Sequence, residues 1–79
     1  MDYAEVKEEI REILNGFHAD IDYDNETGLV DNKRYDSFDL VTLVVELGED
    51  FDVEITAEEF IPENFNSLDA LTKMIIKLS

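Results

Sequence analysis

The chain contains no cysteine, so neither a disulfide framework nor a thiolate metal site can reinforce it, and no thiol is available as a nucleophile. Histidine occurs once, as His18, and reads as an exposed polar residue at the end of a helix. There is no glycine-rich phosphate cradle and no H-E-x-x-H pair. Long apolar runs are missing too, so no segment is expected to span a bilayer. The N-terminal MDYAEVKEEI is acidic and amphipathic, unlike a secretory signal or an Arg-rich transit peptide, which makes the cytoplasm the expected location. Basic residues are scarce: Lys and Arg number 6 against 21 Asp and Glu, a formal net charge of −15. Such a surface repels phosphate backbones and anionic headgroups, which argues against nucleic-acid and membrane binding. It draws in partners with basic patches, in an encounter that salt slows. With 79 residues there is also little volume for a water-excluding pocket, and catalysis is not expected.

What remains is enough for one compact core. Hydrophobic residues make up 44% of the chain, too many for a disordered acidic tail, and residues 1–79 are expected to form a single domain held by packing alone. Tyr3, Val6, Ile10, Ile13, Leu14 and Phe17 recur at steps of three and four, predicting a helix over about residues 2–15 with Asn15-Gly16 as its stop. Residues 18–36 read as a long polar connection pinned by Leu29 and Val30. From Ser37 the apolar centre of the sequence begins. Phe38, Leu40, Val41, Leu43, Val44, Val45 and Leu47 predict a helix buried over a wide face and ending near Gly48. Phe51, Val53 and Ile55 then read as an extended segment dropping apolar side chains into the core. T-A-E-E from Thr56 to Glu59 has the form of a capping box, and Pro62 allows only a short helix after it. Ser67 caps a last helix, with Asp69 in its first turn, Leu68, Leu71, Ile75 and Leu78 inward, and Lys73 and Lys77 near its end. The expected fold class is all-α, a small irregular four-helix bundle of three main helices and one short helix.

Two places could carry chemistry. Asp20, Asp22, Asp24, Glu26, Gly28 and Asp31 occupy positions 1, 3, 5, 7, 9 and 12 of a calcium-loop template. The template fails at Asn25, where its sharp-turn glycine belongs, at Thr27, where an apolar residue belongs, and at Asp31, which is shorter than the bidentate glutamate. Loose attraction of cations is the expected behaviour there. The second place is Asp36-Ser37-Phe38, where a serine directly opens the central helix. Either Ser37, or Asp36 with Asp39 at its third position, can cap that helix. The free N–H groups and positive dipole end of the helix would also stabilise a phosphodiester on Ser37.

From Leu29 to Ile55 the chain resembles the acyl carrier and peptidyl carrier protein family. The resemblance rests on Asp36-Ser37-Phe38, the apolar helix that follows, and Glu49-Asp50-Phe51-Asp52-Val53-Glu54-Ile55, and the flanking helices extend it over nearly the whole chain. It implies a carrier domain whose serine, Ser37, bears 4′-phosphopantetheine derived from coenzyme A. It further implies a phosphopantetheinyl transferase, an acyl- or aminoacyl-adenylating ligase and downstream acyl-transfer enzymes as partners of a monomeric chain. Partner recognition would fall to Asp36, Asp39, Glu46 and Glu49, with Phe38 and Val41 as apolar contacts. Arg34, Thr42 and Gly48 depart from the pattern of fatty-acid carriers, and with the Ser-Phe pair they point toward a stand-alone member similar to the D-alanyl carrier proteins. The alternative is an acidic calcium-binding or protein-interaction module without an arm.

Overall fold

A computed structural model describes residues 2–79. Four helices follow in order: α1 (Tyr3–Phe17), α2 (Ser37–Phe51), α3 (Pro62–Phe65) and α4 (Leu68–Leu78). Asp2 caps α1 by accepting the Ala4 N–H at 2.9 Å. Its buried stripe, Val6, Ile10 and Leu14, lies at steps of four and faces α4, which presents Leu68, Leu71, Met74 and Ile75. Leu43 and Leu47 of α2 and Phe65 of α3 complete the helical core, each at most 1% exposed. Ser67 caps α4 through the Ala70 N–H at 3.0 Å, and the buried Thr72 hydroxyl donates to Leu68 O at 2.8 Å.

Two expected helix ends lie elsewhere. Asn15-Gly16 does not stop α1, which runs to Phe17. The carbonyl of its last turn that accepts the His18 N–H, Leu14 O, is also met from outside the helix: the Tyr23 and Tyr35 hydroxyls, 2.7 Å apart, lie within 3.1 Å of it, and Tyr23 also reaches O of the capping His18 at 2.8 Å. Gly48 does not end α2 either. A Cβ there would come within 3.1 Å of Val53 O, so glycine permits the close approach of the returning chain. The left-handed residue that closes α2 is Asp52, at φ 54°, a conformation its short polar side chain tolerates. Thr56–Glu59 makes only a turn: Glu59 accepts from the Thr56 N–H and hydroxyl, but no helix follows until Pro62 opens α3.

The long connection is fastened rather than loose. Ile21, Tyr23, Leu29 and Tyr35 are buried in it, and Val30 is half-buried. Leu29 N–H donates to Asn66 O at 2.8 Å, while Asn66 Oδ1 accepts the Val30 and Asp31 N–H groups at 3.0 Å each. Asn66, between α3 and α4, thus holds the connection to the far side of the bundle.

The ion pairs and carboxylate contacts give stability a definite pH dependence. Asp24 is held below its ordinary range by Arg11, Glu26 by Asn32 and the Gly28 N–H, Asp39 by His18, Glu59 by Thr56, and Asp69 by Tyr3 and Lys7. For these groups the fold favours the ionised form, so their stabilisation is full above the ordinary carboxylate value of about 4 and is lost as pH falls through their lower values. Glu9 has the opposite sign: a hydrogen bond shared with Asp50 raises it, and its protonation on mild acidification favours the fold. The melting temperature is therefore expected to rise as pH falls from about 8 toward 5, relieving the net charge of −15, and to drop below about 4. Thermal melts in a pH series check this, and a monotonic fall from pH 8 downward would contradict it.

Candidate functional site

Ser37 is the first residue of α2, and the structure settles what caps that helix. Asp36 Oδ1 accepts the Asp39 N–H at 2.8 Å, and Asp39 Oδ2 accepts the Asp36 N–H at 3.3 Å, a reciprocal pair that satisfies two donors. Asp36 is the cap and Ser37 is not. The Ser37 side chain is exposed, and its hydroxyl makes no hydrogen bond among the described residues. The other two serines are engaged: Ser67 caps α4, and Ser79 donates to Ile75 O at 2.7 Å. Ser37 alone presents a free hydroxyl at the positive end of a 15-residue helix.

Behind this serine lies a cluster that pattern reading of the sequence misses. His18, expected as an exposed polar residue, is half-buried. Its Nε2 lies 3.0 Å from Asp39 Oδ2, and its ring meets Tyr35 edge-on with centroids 4.9 Å apart. The hydrogen bond from His18 is the main reason Asp39 stays ionised to lower pH than an ordinary aspartate. Burial pushes the Tyr23 and Tyr35 hydroxyls up, so both remain neutral donors under ordinary conditions. The only available signal was compositional: tyrosine at 23 and 35 in an otherwise polar connection.

The outer face of α2 carries the remaining candidates. Asp36, Glu46 and Glu49 are exposed. Asp39 is not equivalent to them, because its carboxylate is 25% exposed and is bound internally by His18 and the Asp36 N–H. Phe38, Val41 and Val45 are 80%, 58% and 53% exposed, although their spacing counts them in the wide buried face of the helix and only the resemblance offered Phe38 and Val41 as outward contacts. They line one outward stripe, while Leu43 and Leu47 fill the inward one and Leu40 and Val44 lie between. Where α2 faces the chain leading into α3, Val30, Leu40, Phe60, Ile61, Pro62 and Phe65 line an apolar groove of about 180 Å³.

The sequence pattern of the phosphopantetheine attachment site family matches residues 4–75, from the first turn of α1 to the last turns of α4. The chain belongs to this family. No curated protein and no solved structure matches it. It is a carrier domain with four helices, one of them short, whose prosthetic group is 4′-phosphopantetheine. Carrier domains of this family are modified by phosphopantetheinyl transferases and interact with loading enzymes; they transport a substrate rather than transform it.

The residues at the head of α2 fit that group. A phosphodiester needs an accessible, unengaged hydroxyl and a positive environment, and Ser37 at the N-terminus of α2 offers both. In the acidic connection, most carboxylates have protein partners of their own. Asp24 pairs with Arg11 at 2.7 Å, and Glu26 accepts from the Gly28 N–H, Asn32 and Arg34. Asp31 accepts from Asn66, and Asp22 from the Asp24 N–H and Asn25. These four carboxylates turn to different partners, and among the described residues no three His, Asp or Glu side chains converge as a metal set. No helix of the carrier domain, among the described residues, is long and apolar enough to cross a membrane.

Proposed function

We propose that Ser37 receives the 4′-phosphopantetheine arm and that the domain holds acyl or aminoacyl groups on it as thioesters. The observation that carries this reading is the free, exposed hydroxyl of Ser37 at the N-terminus of α2, with the capping role taken by Asp36. Bound there, the arm supplies the thiol that the cysteine-free chain lacks. In the transfer, Ser37 Oγ gives up its proton and forms a bond to the phosphorus of coenzyme A that bears the pantetheine. The pyrophosphate P–O bond breaks, and the 3′,5′-bisphosphate of adenosine leaves.

The chain's own residues act on position and charge. The first-turn N–H groups of α2 favour the phosphodiester's negative charge at Ser37. Exposed Asp36, Glu46 and Glu49 attract basic partners, and Phe38 and Val41 offer them apolar contact. Asp39 contributes to recognition by shaping the Ser37 turn more than by direct pairing. Partners of this description are a phosphopantetheinyl transferase, an acyl- or aminoacyl-adenylating ligase and downstream acyl-transfer enzymes. The Ser37-Phe38 pair, with Arg34, Thr42 and Gly48, supports a carrier similar to the D-alanyl carrier proteins, served by an adenylating ligase. Once tethered, the cargo reaches each partner's active site at high effective concentration.

Peptide mapping of the modified protein tests the assignment. The phosphopantetheine mass is expected on the peptide containing Ser37; its presence on a peptide containing Ser67 or Ser79 would refute it.

A further inference from the structure

The only histidine of the chain touches the two residues that bracket the attachment turn. Its ring packs edge-on against Tyr35, and its Nε2 lies 3.0 Å from Asp39 Oδ2. Between those contacts lie Asp36, Ser37 and Phe38. The Asp39 oxygen that meets His18 also receives the Asp36 N–H at 3.3 Å, and the Asp39 N–H returns to Asp36 Oδ1 at 2.8 Å. His18 is itself anchored at the C-terminal cap of α1. Its N–H donates to Leu14 O at 3.0 Å, and its carbonyl accepts from the Tyr23 hydroxyl at 2.8 Å. One continuous chain of hydrogen bonds therefore runs from the end of α1, through His18 and Asp39, to the capping residue next to Ser37.

We infer that His18 is a positioning residue for the loading of Ser37: through Asp39 it fixes the Asp36–Ser37 turn in the geometry from which the serine hydroxyl is modified. This rests on Ser37 as the attachment residue. Without His18, Asp39 has its backbone partner at Asp36 alone, and its carboxylate is free to swing toward solvent. The reciprocal cap then loosens, and Ser37 meets the transferase in a spread of orientations. Alignment of reacting groups is worth large factors in rate, so a turn that wanders slows the chemical step more than it weakens binding. The transferase would still meet the same exposed Asp36, Phe38 and Glu46.

Four variants of the apo protein, offered to a transferase with coenzyme A and magnesium, test this. His18→Ala is expected to lower kcat/KM for arm transfer roughly tenfold, chiefly through kcat. His18→Gln places an amide nitrogen as many bonds from Cβ as Nε2, and is expected to recover most of the loss. In an Asp39→Ala background, His18→Ala is expected to have no further effect, because the route through Asp39 is already cut. Amide hydrogen exchange gives a readout independent of activity: the Asp36 and Asp39 N–H groups should exchange faster in His18→Ala while the α4 core amides do not. Unchanged transfer by His18→Ala, failure of the Gln rescue, or a full further loss in the Asp39→Ala background would each overturn the inference. If the wild-type chain takes no arm at Ser37, the attachment reading fails instead, and unaltered exchange at Asp36 and Asp39 would still refute the role of His18.

Discussion

Ser37→Ala is expected to abolish arm loading while leaving the fold as stable as the wild type. The two halves follow from different contacts. Loading is lost because Ser37 alone among the three serines has an exposed, unengaged hydroxyl at the start of a long helix. Stability is kept because that hydroxyl caps nothing: the Asp39 N–H bonds to Asp36, and the Asp36 N–H bonds to Asp39. Loss of a true serine cap would cost about 1 kcal/mol. Here the change should stay within about 0.5 kcal/mol, as for other exposed substitutions. Intact-protein mass after transferase treatment and a urea melt of the same sample read both halves. A variant that still gains the arm contradicts the attachment site, and one that loses a cap's worth of stability contradicts the capping assignment.

Truncation of the core is expected to have the largest effect on folding. Ile75 is fully buried on α4, and Leu43 is 1% exposed on α2. Replacing either with alanine removes buried methyl and methylene groups and leaves a void among neighbours that are themselves fixed. The cost is expected at about 2–5 kcal/mol. A domain of 79 residues has a total stability on the order of only 4–12 kcal/mol, so each variant should be partly unfolded under mild denaturant. Denaturant melts followed by far-UV circular dichroism check it. Midpoints close to wild type in both variants would show that α2 and α4 do not pack as described.

These predictions draw unequally on what the sequence makes legible. Local rules worked where local interactions decide. The α1 stripe, the Ser67 cap and the Pro62 start each depend on residues within one or two turns, and each is where it was expected. Local rules failed where a distant group intervenes. Asn15-Gly16 looks like a stop, yet α1 runs on to Phe17, and the Leu14 carbonyl, which accepts the His18 N–H, is also reached by the hydroxyls of Tyr23 and Tyr35, 9 and 21 residues beyond it. Gly48 looks like a cap, but its missing Cβ makes room for Val53. The spacing of the apolar residues of α2 did not show which would face outward, since Phe38, Val41 and Val45 are as hydrophobic as Leu43 and Leu47; only the family resemblance set Phe38 and Val41 apart. That distinction comes from which side α1 and α4 cover.

The triplet proposed for attachment stands out in the sequence, because Asp36-Ser37-Phe38 precedes a long apolar run. Its support does not. His18 lies 21 residues before Asp39, and nothing in the spacing links an isolated histidine to a helix cap so far along the chain. The same folding that buries Tyr35 brings the end of α1 beside the start of α2 and makes that link.

The most direct test of the account is the intact mass of the wild-type protein after incubation with coenzyme A, magnesium and a phosphopantetheinyl transferase of broad specificity. The account predicts a gain of one phosphopantetheine and no more. No gain by correctly folded protein, across several transferases, would contradict it.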